Sequence, residues 1–115
     1  MTLREYRDEV FGILSSITTT DNIQWVGQND HNEYPLITYA RFDLDAEYSF
    51  GLNLESLSYY TEVRIYASDI DVIDDIVDEI FDAMMDRGYM LQSAPAEFTD
   101  DGNGENVSIL RFYKV

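Results

Sequence analysis

The chain has 115 residues, and 7 basic against 23 acidic side chains give a formal charge of −16, extreme for a compact domain of this size. Six Arg and one Lys spread along such a chain exclude phosphate-driven nucleic-acid binding, and the same charge disfavours anionic membrane surfaces. Yet 45% apolar and 14% aromatic content is too hydrophobic for a disordered acidic tail, so residues 1–115 are expected to form one folded domain with one core.

Thr2-Leu3-Arg4-Glu5 reads as a capping box opening a helix whose Leu3, Tyr6, Val10, Ile13, Leu14 and Ile17 recur at helical spacing. The β-branched run Ile17-Thr18-Thr19-Thr20 should end it. Ile23-Gln24-Trp25-Val26 reads as a short strand, and residues 27–32 as a polar loop. From Leu36 to Asp45 the chain alternates, with Leu36, Thr38, Ala40, Phe42 and Leu44 on one face and Ile37, Tyr39, Arg41, Asp43 and Asp45 on the other. Leu57 to Ser68 alternates likewise, Leu57, Tyr59, Thr61, Val63, Ile65 and Ala67 opposing Ser58, Tyr60, Glu62, Arg64, Tyr66 and Ser68. An antiparallel pair is expected. The intervening segment, Ala46 to Ser56, is too long for a tight turn and carries Tyr48, Phe50, Leu52 and Leu54 with no obvious intramolecular partner.

Asp69-Ile70-Asp71 supplies N-cap candidates for the clearest element, a helix from Ile70 to Arg87. Ile70, Val72, Ile73, Ile76, Val77, Ile80, Phe81, Ala83 and Met84 fill one half of its wheel; Asp71, Asp75, Asp78, Glu79, Asp82 and Asp86 fill the other. Gly88 is placed to end it. Tyr89 to Phe98 reads as a strand interrupted by Pro95, which belongs at an edge or bulge, and Asp101-Gly102-Asn103-Gly104 turns the chain into a last strand from Val107 to Val115. The order is α, short β, then β-β-α-β-β. The fold class is α+β, with an antiparallel sheet of four strands, or five with the short one, and both helices packed on it.

Chemistry is harder to find. There is no Cys, so thiolate chemistry is excluded. The single histidine, His31, sits in a polar loop without a nucleophile motif around it. The carboxylate stripe of the second helix lies on a convex face, where a solvated surface is the expected reading and a metal site is not. Asp101, Asn103 and Glu105 alternate like calcium ligands, but Asn106 stands where the loop needs glycine, and a hairpin turn is favoured. No phosphate-cradling glycine motif occurs. The expectation is therefore no enzyme, no cofactor and no metal. No secretory leader, lipid-anchor motif or membrane span is visible, which points to synthesis in the cytoplasm.

What remains is surface. Tyr39, Tyr60 and Tyr66 share the strand face that carries Arg41, Arg64 and Glu62, and Tyr with Arg is the composition of protein contact cores. The same face packing under a helix is an equally open alternative.

The pattern as a whole resembles the tail terminator, or tail completion and head-tail joining, proteins of long-tailed phages and related viruses. Tyr34-Pro35-Leu36-Ile37-Thr38-Tyr39-Ala40 opening a strand, a long loop, Tyr60-Thr61-Glu62-Val63-Arg64-Ile65-Tyr66-Ala67, the helix from Ile70 to Arg87 and two final strands carry the resemblance. It implies a structural virion protein of the tail or neck, assembled in the host cytoplasm. Such proteins form a homo-oligomeric ring, usually a hexamer, that caps the tail tube, ends its polymerisation and joins it to the head-side connector. Its partners would be itself, the tube protein and the connector protein, with DNA passing through the ring unbound. The family has no catalytic residues to carry over. Ala46 to Ser56 occupies the position of a loop that reaches a neighbouring subunit or the tube, and the −16 charge departs from a typical member.

Two other readings compete for the charge. The Asp stripe presents regularly spaced carboxylates, as an acidic DNA mimic blocking a DNA-binding enzyme would. An excess of acid over a single Lys also marks adaptation to molar salt, where repulsion is screened within about 3 Å.

Overall fold

The computed structural model describes residues 3–20, 22–25, 34–41, 59–92, 96–100 and 105–114, without the side chains of Leu3, Arg41, Tyr59, Ala96, Phe98, Thr99 and Asp100. Its elements run α1 (Leu3–Ser15), β1 (Ile23–Trp25), β2 (Leu36–Arg41), β3 (Tyr59–Ala67), α2 (Ile70–Asp86), β4 (Met90–Leu91), β5 (Ala96–Asp100) and β6 (Glu105–Lys114). This is an α+β fold. The sheet is six-stranded, ordered β1-β2-β3-β6-β4, with β5 also on β6.

Tyr6, Val10, Ile13 and Leu14 recur one turn apart, so α1 buries a single stripe. The helix stops at Ser15, just ahead of the β-branched run, and Ser16 folds both its N–H and its hydroxyl onto the Ile13 carbonyl. In α2 the stripe is Ile73, Ile76, Ile80 and Met84. Asp69 is its N-cap, its carboxylate accepting from the Asp71 N–H at 2.9 Å. At the other end Tyr89 N–H reaches the Met84 carbonyl and Gly88 N–H the Met85 carbonyl, the paired bonds of a Schellman cap. Gly88 takes the φ of +88° that this cap requires.

The buried residues of both helices join Ile37, Tyr39, Val63, Ile65, Leu110 and Phe112 in one core. The Tyr6 hydroxyl is hydrogen-bonded to Thr61 on β3, which ties α1 to the middle of the sheet. Both helices therefore roof the same side of the sheet.

Three expectations need correction. The sheet is mixed, because β1 pairs parallel with β2, Ile23 opposite Ile37 and Trp25 opposite Tyr39. The strand expected from Tyr89 to Phe98 is two strands on the two ends of β6: Met90 faces Tyr113, while Ala96 faces Ile109. Pro95, where the sequence places an interruption, lies outside the described residues. On α2, Ile70 and Phe81 are not core residues; they stand 47% and 37% exposed on a flank beyond the buried stripe.

The cap and the stripe give contrasting substitutions. Gly88→Ala meets no steric neighbour, so its cost is backbone strain alone, about 1–2 kcal/mol. Ile76→Ala leaves a cavity and costs about 2–5 kcal/mol, whereas Phe81→Ala, which loses a ring that is 37% exposed, costs about 1–2 kcal/mol. Denaturant unfolding of the three variants checks these costs.

Candidate functional site

Register decides which side chains meet. In β3 the residues Thr61, Val63, Ile65 and Ala67 are buried under the helices, so Tyr60, Glu62, Arg64 and Tyr66 point to the opposite, outer face. On β6 the outer residues are the partners of these: Tyr113 opposite Tyr60, Arg111 opposite Glu62, Ile109 opposite Arg64 and Val107 opposite Tyr66. The Tyr60 and Tyr113 rings lie 6.0 Å apart, and Met90, 52% exposed, extends their row onto β4.

Glu62 organises the next row. One of its oxygens accepts from Arg64 Nε at 2.6 Å and the other from Arg111 Nε at 3.1 Å. Partial burial pulls the Glu62 carboxyl upward, but the two hydrogen-bonded guanidiniums outweigh it and hold its pKa below the ordinary value. Arg64 is in turn raised, chiefly by its bond to Glu62. Glu62 is thus shared between two guanidiniums.

Tyr39 does not belong to that face. It pairs with Val63, is 7% exposed, and packs edge-on against Trp25 at 5.2 Å and against Phe11 at 6.2 Å. Burial pushes its phenol pKa up, against the opposing pull of Arg7. The expectation that Tyr39 shares a face with Tyr60 and Tyr66 is overturned because β2 pairs with β3 in the other phase, Ile37 on Ile65 and Tyr39 on Val63. Arg41 pairs with Thr61 in the ladder. Tyr48, Phe50, Leu52 and Leu54 lie outside the described residues, as does His31.

On α2, Asp71, Asp75, Asp78, Asp82 and Asp86 are exposed, together with Asp74. Glu79 is different. Its carboxylate accepts from the hydroxyls of Thr18 and Thr19, both at 2.9 Å, and from their backbone N–H groups at 2.9 and 3.4 Å. These bonds, the Thr18 N–H first, hold the Glu79 carboxyl below its ordinary pKa. Glu79 thus latches the segment after α1 onto α2 and is not part of the solvated stripe. Beside it a groove is lined by Ser16, Ile17, Thr18, Glu79, Asp82, Ala83 and Asp86. Among the described residues no group of three or more His, Cys, Asp or Glu is arranged to hold a metal ion, and no helix is long and apolar enough to cross a membrane.

The surface residues that sequence reasoning did not single out are Met90, Arg111 and Tyr113. Alternation in the last strand places Arg111 and Tyr113 on one face; only the register joins them to Tyr60 and Glu62. The chain matches no protein-family model, and no curated protein sequence matches it.

Two predictions follow the α2 surface. Glu79→Gln should lower stability at neutral pH by about 1 kcal/mol or less, given solvent screening of an exposed carboxylate. Because the folded-state pKa is depressed, this contribution is complete above the ordinary value of 4.5 and fades as pH falls through the lower folded value. The stability difference between wild type and variant should be full at pH 7 and shrink steadily as the pH is lowered below 4.5, read from denaturant unfolding across the acid range. Asp86 lies in the last helical turn, where the dipole disfavours an anion, four residues after Asp82. Asp86→Asn should therefore stabilise by about 0.5 kcal/mol at low salt, with the gain shrinking in molar salt, read from melting midpoints in both buffers.

Proposed function

We propose that this protein is a ring-forming structural component of a viral tail, of the tail-terminator kind, that caps the tube and meets the head-side connector. The observation that carries the reading is the two-layer arrangement. Helices α1 and α2 roof one side of the sheet, and the outer side presents Tyr60, Tyr113 and Met90 beside the Arg64–Glu62–Arg111 cluster. Tyr, Met and Arg are the side chains enriched in protein contact cores. The order in which Pro35 precedes β2, and β3 runs through two residues into α2, supports the resemblance from which the reading began. A chain this acidic would also let DNA pass a ring without sticking.

A second reading, an acidic mimic of DNA, draws on the exposed Asp residues of α2. It accounts for the carboxylates but gives no role to Ile70, Phe81 and Met85, which are exposed beside them.

Purified protein imaged by electron microscopy should appear as rings of one symmetry, and its solution mass should be a fixed multiple of the protomer. Added to polymerising tube protein, it should cap the tubes and stop their growth. A strictly monomeric particle from micromolar to high micromolar concentration, even with tube protein present, overturns the reading. Retardation of a basic DNA-binding protein with steep salt dependence would favour the mimic instead.

A further inference from the structure

The helical layer carries two complementary strips, one on each of its outer edges. On α2, Ile70, Phe81 and Met85 stand 47%, 37% and 42% exposed, with half-buried Val77 between them. At about 100° per residue these four fall within roughly 80° of one another. Exposed Asp74 and Asp78 lie within and beside the strip. It looks away from α1, because Glu79, on the other flank of α2, is the residue bonded to Thr18 and Thr19.

On α1 the strip is Arg4, Arg7 and Phe11, all exposed and within roughly 60° of one another. Phe11 is 45% exposed while leaning on Tyr39, and Arg7 lies over the Trp25 ring at 5.8 Å, so this edge borders β1 and β2. It looks away from α2, because Glu9, on the other flank of α1, is the residue that Arg87 approaches from the end of α2. Exposed Asp8 lies outside the strip, directly opposite the buried stripe of α1. Arg4, Arg7, Asp74 and Asp78 take part in no ion pair among the described residues.

The spacings also agree. Arg87, after α2, reaches Glu9 in the middle of α1, whereas Glu79, two turns earlier, reaches Thr18 and Thr19 beyond the end of α1, so the two helices run antiparallel. Copies repeated side by side in one orientation would set α1 of one beside α2 of the next in the same antiparallel sense. Going back from Phe11, Arg7 and Arg4 follow at steps of about 6 and 4.5 Å; going forward from Ile70, Asp74 and Asp78 follow at steps of about 6 Å each. One apolar residue and two charged ones stand in step on each strip, with opposite charges.

We propose that the outer flank of α2 in one copy packs beside the outer flank of α1 in the next, with Phe11 on Ile70, Arg7 against Asp74 and Arg4 against Asp78, the stem of Arg4 covering Phe81. The occupant is a second copy of this chain, because both strips, with their apolar and charged residues in matching order, are its own. Since the strips differ, the contact is heterologous and repeats head to tail. It rests on the ring reading above and names the contact that would build the ring.

The test reverses one charge pair, at side chains exposed enough to spare the fold. Arg4→Glu sets an anion against Asp78, and Asp78→Arg sets a cation against Arg4. Wild type should be oligomeric by sedimentation, and each single variant, with an unchanged melting midpoint, should need about tenfold more protein or higher to assemble. The double variant restores an opposite-charge pair and should assemble as wild type does, and so should an equal mixture of the two single variants. Asp82→Arg makes the same charge change outside the strip and should assemble at least as well as wild type. If either single variant fails to fold, Arg7→Glu and Asp74→Arg take the same roles. Folded single variants that assemble like wild type, or a folded double variant that stays monomeric, overturn this contact and leave the ring reading standing. Wild type that never oligomerises overturns both.

Discussion

The structure depends on the two-residue link between β3 and α2. Ser68 and Asp69 are all that separates Ala67 from Ile70, so the helix must start where the strand ends and fold back across the sheet. Asp69 makes this abrupt start affordable by accepting the Asp71 N–H, and the Asn106 side-chain amide donates to the Ser68 carbonyl, pinning the link to β6. With its start set, α2 lays Ile73, Ile76, Ile80 and Met84 over the same core as Val63, Ile65, Leu110 and Phe112. The Schellman cap at Gly88 then releases the chain into β4, beside the end of β6. One side of the sheet is thereby roofed, and Tyr60, Arg64, Arg111 and Tyr113 are left on the other.

Elements whose signals are local were legible in the amino-acid sequence. The span of α2, its Asp69 cap and its Gly88 exit follow from helical periodicity and cap chemistry, and the end of α1 follows from the β-branched run after it. Alternation located β2, β3 and β6. What alternation does not carry is phase between strands. A tight turn would set the register of β2 against β3, but residues 42–58 separate them, so nothing local chooses between Leu36 and Ile37 as the residue under the helices. Both are in fact fully buried, on opposite faces, and Tyr39 falls on the helix side with Ile37. The parallel pairing of β1 and the sharing of β6 by β4 and β5 are likewise long-range choices with no short-range signature. On α2 the hydrophobic half of the wheel is wider than the stripe that a sheet can cover, so Ile70 and Phe81 belong to that half and yet lie outside the core. Glu79 looked like one more solvated acid, because its partners, Thr18 and Thr19, are about sixty residues away in the chain.

The charge is unevenly used. Several basic side chains are committed within the protomer: Lys114 and Arg87 approach Glu9 at 2.9 and 4.0 Å, Arg64 and Arg111 share Glu62, and Arg7 lies over the Trp25 ring at 5.8 Å. The acids of α2 other than Glu79 have no such role among the described contacts, and several sit at spacings that weaken the helix. Six of the 23 acids, Asp71, Asp74, Asp75, Asp78, Asp82 and Asp86, are thus exposed along one helix.

That asymmetry constrains how copies can associate. A two-fold axis sets the residues that lie on it against their own images, so an axis through the exposed face of α2 would place carboxylates near carboxylates. That is repulsive within about 10 Å at 0.1 M salt. A contact that leaves the exposed acids of α2 in solvent avoids that penalty, while the net charges of whole copies still repel at longer range. Association of so acidic a chain is therefore opposed at low ionic strength, and it becomes easier as salt screens the α2 acids.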